Sequence, residues 1–104
     1  MNFNPKVTIK DIIHPEKVHE LINEKIEKLN QICDKITYCD VYLNQNQKHQ
    51  STGKLYNIKI DLHIPKHKIA SNHAESTDPF VVVRDGFATV KRQLTDIMDK
   101  QKTY

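Results

Sequence analysis

Thirteen carboxylates, six histidines and two cysteines are the residues of this chain most able to do acid–base, nucleophilic or metal chemistry. Their spacing limits what they can do. His63, His67 and His73 fall around one expected turn, and three imidazoles there could hold a metal ion for a hydrolase. No His-Glu-x-x-His or Cys-x-x-Cys spacing supports that reading. Cys33 and Cys39 each occupy an apolar position of a patterned segment and read as reduced core thiols. Five of the thirteen carboxylates gather on one helix flank, with no dry pocket to tune them for proton transfer. Ser71, Ser76 and the threonines have no base at a recognisable spacing. The glycines are Gly53 and Gly86 alone, which leaves no glycine-rich phosphate loop. The expectation is a non-enzyme with no cofactor, no metal site and no small-molecule substrate.

Binding chemistry is better represented. The net charge is +3, unevenly spread. Residues 1–40 hold six Lys/Arg against seven Asp/Glu, and residues 41–74 hold five against one. Residues 75–79 add two carboxylates, and residues 80–104 hold five Lys/Arg against three Asp/Glu. The middle strands and the closing helix therefore carry the excess, which is the footprint of a polyanion binder. The start of the chain lacks a signal-peptide run, and no stretch approaches the ~20 apolar residues of a membrane span. A cytoplasmic protein that binds no membrane is expected.

The elements that must position these residues follow from periodicity. Phe3, Pro5, Val7 and Ile9 alternate with polar residues and predict a first strand, at or near an edge because Pro5 lacks a donor. His14-Pro15 opens a helix whose apolar stripe runs from Val18 through Leu21, Ile22, Ile26, Leu29, Ile32 and Cys33 to Ile36. Lys17, Lys28 and Lys35 lie along one flank of it, with Lys25 close to its middle edge; Glu16, Glu20, Glu24, Glu27 and Asp34 lie along the other. Cys39, Val41 and Leu43 predict a second strand, followed by a polar loop from Asn44 to Gly53. Tyr56 to Ile64 alternate cleanly as a third strand, wet on one face. A turn at Lys66-His67 leads to a fourth over residues 68–74. Asp78-Pro79 then starts a helix with stripe Val83, Phe87, Val90, Leu94, Ile97 and Met98. The fold class is α+β, β-α-β-β-β-α: a four-stranded sheet with both helices on one face, forming one domain over residues 1–104.

Two segments carry a resemblance. Residues 20–29, ELINEKIEKL, with Asp34-Lys35-Ile36, resemble the first helix of the ribosome hibernation promoting factor family. That family is also called ribosome-associated translation inhibitor, or sigma-54 modulation protein. Arg92-Gln93-Leu94-Thr95 and Asp99-Lys100 match its last helix, and the element order is the family's own. The likeness covers nearly the whole chain apart from loop 44–55 and residues 72–79.

The resemblance implies a stress- or stationary-phase factor that binds small-subunit ribosomal RNA in the messenger and transfer RNA channel. There it would block translation in idle ribosomes. By position, Lys25, Lys28, Arg92 and Lys100 match the family's RNA-contacting basic residues, while Thr89 and Asp96 stand where two more are expected. Arg84 and Lys91 stand close enough to compensate. The ending at Tyr104 resembles the short form, which would need a separate ribosome-dimerising factor. The alternative is a regulatory protein-binding module that uses the wet sheet face or a helix flank.

Overall fold

Alternating side chains pair into one mixed sheet. The computed structural model describes residues 3–46, 55–72 and 75–101. Its strands are β1 (Lys6–Lys10), β2 (Tyr38–Asn46), β3 (Leu55–Ile64), β4 (His67–Ser71) and the two-residue β5 (Glu75–Ser76). The sheet order is β1-β2-β3-β4, so β1 is an edge, as Pro5 implied. β1 runs parallel to β2, whereas β2, β3 and β4 form an antiparallel meander.

Several boundaries differ from expectation for physical reasons. Asn44, Gln45 and Asn46 belong to β2, paired with Asn57, Tyr56 and Leu55, because ladder hydrogen bonds need no apolar side chains. The rest of that loop lies outside the described residues. Pro65 and Lys66 form the β3–β4 turn, with Lys66 at φ 70°, so β4 begins at His67, one residue earlier than expected. β5 went unforeseen, since two residues carry no periodicity. It pairs with β3 at Tyr56 and Asn57, one residue out of the β4 register.

Helix α1 spans Glu16–Ile32 and α2 spans Pro79–Gln101. Pro15 caps α1 rather than starting it: the His19 N–H donates to the Pro15 carbonyl at 2.8 Å. The helix stops before Ile36 because Cys33 turns extended, yet Cys33 and Ile36 stay buried. At α2 the Phe80 N–H donates to Asp78 Oδ1 at 2.9 Å, the capping bond its sequence implied.

The core lies between one sheet face and the two helices. Val41, Leu43, Ile58, Ile60 and Leu62 from the strands meet Ile22, Ile26 and Leu29 of α1 and Val83, Phe87, Val90 and Leu94 of α2. Both helices therefore cover the same face. Gly86 lets α2 approach β3 closely, since a Cβ there would meet Ile58 Cγ2 at 2.7 Å.

Candidate nucleic-acid interface

Burying one stripe of each helix forces their flanks to face each other along a shared groove. Lys25, Lys28 and Leu29 of α1 line it together with Arg84, Phe87, Ala88 and Lys91 of α2. A second hollow joins Cys33 and Lys35 beyond α1 to Met98 and Gln101 of α2. Later residues of one helix thus lie beside later residues of the other, so α1 and α2 run in the same direction.

The first groove concentrates positive charge. Leu29 and Phe87 form its floor. Lys28, Arg84 and Lys91 are exposed, while Lys25 is half-buried, as a lysine can be while its charge stays in water. Among the described residues, no carboxylate lines the groove. The four cations repel one another across it, and an incoming polyanion relieves that repulsion.

At about 100° per residue, Arg84 and Lys91 project within about 20° of each other, toward α1. Arg92 lies about 100° further round. It belongs to an outer strip with Asp85, Thr89, Asp96 and Lys100, where two cations meet two carboxylates. The Thr89 hydroxyl donates to the Asp85 carbonyl at 3.2 Å. Of the six expected site residues, the structure brings together Lys25, Lys28, Arg84 and Lys91 and leaves Arg92 and Lys100 off the groove. On α1 the exposed side chains of Lys17 and Glu20 pair at 3.9 Å.

The opposite face of the sheet is open, and the register sorts it into rows. Lys10, Asn44 and Asn57 form one row, and Thr8, Tyr42 and Lys59 the next. Lys6, Asp40 and Asp61 follow, then Tyr38, His63 and Lys68. Tyr38 and His63 stack with ring centroids 4.5 Å apart, and the Tyr38 hydroxyl donates to Asp40 at 3.2 Å. Desolvation, then this bond and the charge of Asp40, raise the Tyr38 phenol above its ordinary value.

Tyr42, Asn44, Asn57, Lys59 and Asn72 surround a shallow concavity on this face. Asn44 Oδ1 is shielded from solvent and has no hydrogen-bond partner among the described residues, a situation that costs about 1–3 kcal/mol. Sequence reading placed Asn44 in the polar loop and Asn72 inside the expected fourth strand, whereas Asn44 belongs to β2 and β4 ends at Ser71.

Of the three histidines expected around the turn, the two described ones do not converge. His63 pairs with Lys68 on the open face, whereas His67 pairs with Ile64, whose side chain is on the core side. Neighbouring positions of a strand point to opposite faces, so His63 and His67 diverge. His73 lies outside the described residues. Among the described residues, no group of three His, Cys, Asp or Glu is placed to hold a metal.

Comparison with known proteins bears on the whole of this arrangement. The family model described as sigma 54 modulation protein / S30EA ribosomal protein matches residues 6–102. The chain belongs to that family. Sigma 54 modulation proteins of the S30EA type are ribosome-associated, and the resemblance seen in the two helices is thereby established.

The fold of this S30EA-family chain is shared with solved structures. A ribosomal subunit interface protein from Coxiella burnetii superposes with a TM-score of 0.74 at 17% identity, covering 91% of this chain and 97% of that one. The N-terminal domain of Thermus thermophilus Protein Y gives 0.73 at 14% identity, covering 93% and 99%. No curated protein matches the sequence. Among the described residues no helix is long and apolar enough to cross a membrane.

Proposed function

We propose that this S30EA-family chain is a cytoplasmic, non-enzymatic hibernation factor that blocks translation in idle ribosomes. It acts as one ribosome-binding domain on the small-subunit RNA of the messenger and transfer RNA channel. The observation that carries this reading is the groove between α1 and α2. Lys25, Lys28, Arg84 and Lys91 converge there without a carboxylate, on two rigid helices. Basic side chains so held neutralise phosphates and fix orientation while reading little sequence. Arg92 and Lys100 lie off the groove and add to its attraction from the outer side of α2.

Co-sedimentation with purified small subunits at increasing salt tests the proposal. Affinity should fall steeply, by roughly 0.9 log units per log salt for each phosphate neutralised on a duplex. Lys25→Glu with Lys28→Glu should abolish sedimentation while the circular dichroism spectrum stays native. A folded double variant that still sediments like the parent overturns the assignment. A salt-independent association instead favours docking on a protein.

A further inference from the structure

We infer that the RNA contact runs on past the groove, along the seam of the two helices into the second hollow, where Lys35 and Lys66 hold the next phosphates of the same strand. The inference rests on the RNA-binding reading of the groove and adds two contacts to it, both outside the helices themselves.

The helical repeat places the hollow. Seven residues make almost two full turns, so Arg84, Lys91 and Met98 fall nearly in one line along α2, about 10 Å apart. Arg84 and Lys91 line the groove, and Met98 lines the hollow. Across the seam, Lys28 belongs to the groove and Lys35, seven residues on, to the hollow. The two concavities are therefore consecutive stretches of one trough. Pro65 and Lys66, the β3–β4 turn, stand at its far end.

Charge and size decide what lies there. Lys35 and Lys66 line the hollow, and among the described residues no carboxylate does. Neither lysine takes part in an ion pair among the described residues. Both helices end nearby, each with roughly half a negative charge at its terminus, and two whole lysine charges exceed that sum. Most of the remaining wall, from Cys33, Ile64, Pro65 and Met98, is apolar. The hollow holds about 220 Å³, below the roughly 300–1,000 Å³ of pockets that enclose a free small molecule. A separate ligand would be poorly held. A strand already bound in the groove arrives at high effective concentration, so that two further phosphate contacts suffice to carry it on.

Co-sedimentation of the full chain with purified small subunits over one salt series tests this. Lys35→Gln with Lys66→Asn is compared with Lys59→Gln plus Lys68→Gln, which removes the same charge from exposed positions of the open sheet face. Lys66 has φ 70°, a backbone that asparagine accepts, so the hollow pair should melt like the parent. It should flatten the log–log salt slope by about two phosphates' worth, roughly 1.4 on a single strand. The sheet-face pair should change the slope by less than half as much. Lys66→Cys gives an exposed thiol beside the buried Cys33 and Cys39, and a photoreactive cross-linker attached there should recover small-subunit RNA. The inference is overturned if the hollow pair keeps the parent slope, or if the sheet-face pair flattens it equally. Recovery of protein alone by the cross-linker also overturns it and gives the hollow to a protein partner. Binding by the parent that ignores salt removes the groove reading and this inference together. Binding that is lost with Lys25→Glu and Lys28→Glu, but whose slope the hollow pair leaves unchanged, removes this inference alone.

Discussion

Gly86 of α2 lies against Ile58 of β3 so closely that an added Cβ would stand 2.7 Å from Ile58 Cγ2 and 3.2 Å from Ile60 Cδ1. Ile58 is buried and β-branched, so its methyl group has little room to withdraw. Alanine is preferred to glycine in a helix interior by about 1 kcal/mol, but overpacking a tight core costs roughly 1–3 kcal/mol. Gly86→Ala should therefore lower stability by about 1 kcal/mol, read as an earlier denaturation midpoint with an unchanged slope. A later midpoint would show that the helix shifts freely away from the sheet.

The Asp78 cap can be tested separately. Its carboxylate accepts from the Phe80 N–H at 2.9 Å, and losing such a cap costs about 0.5–2 kcal/mol. Asp78→Ala should destabilise by about 1 kcal/mol, and Asp78→Asn should recover most of the loss in the same thermal melt. Equal melting temperatures for alanine and asparagine would remove the cap from the account.

Much of this architecture was legible in the chain, and the exceptions share a cause. Tyr56 to Ile64 alternate in the sequence as they do in the sheet, and Asp78-Pro79 marks the start of α2. Local pattern reports which face of an element is apolar. It does not report what the flank of one helix meets on the other. Lys25 and Lys91 are far apart in sequence and reach one groove only through helix packing, so the convergence of four cations was not readable. Arg92 and Lys100 matched by position in the resemblance, yet a turn of about 100° per residue carries them to the outer strip. Asn44 and β5 escaped because backbone pairing leaves no apolar signature.

Cys39 should make stability depend on pH in the alkaline range. Burial, then the charges of Asp40 and Asp61, push its thiol up to about 12. The folded state therefore holds this proton more tightly than the unfolded chain does. The resulting stability is fully present below the unfolded thiol value, ~8.5, and is lost as pH rises toward about 12. Cys39→Ala should flatten that part of the stability–pH curve, although its overall stability will be lower. At pH 8 the native thiol should resist alkylation that modifies the unfolded chain rapidly. Rapid modification of native Cys39 would contradict its burial.

Ala88 and Asp96 separate the groove from the outer strip of α2. Ala88 is exposed and lines the groove beside Arg84 and Lys91; Asp96 is exposed on the strip that also carries Arg92. Lysine is well tolerated on an exposed helix surface, so neither Ala88→Lys nor Asp96→Lys should disturb the fold. If the groove holds the phosphates, Ala88→Lys adds a fifth cation to it. The salt dependence of small-subunit binding should steepen by about one phosphate's worth, roughly 0.9 in the log–log slope. Asp96→Lys changes the local charge by two units but acts from outside the groove, so the change in slope should be smaller despite the larger change in charge. The comparison needs only the two slopes, measured over the same salt range. A steeper slope for Asp96→Lys than for Ala88→Lys would move the centre of the RNA contact from the groove to the outer strip.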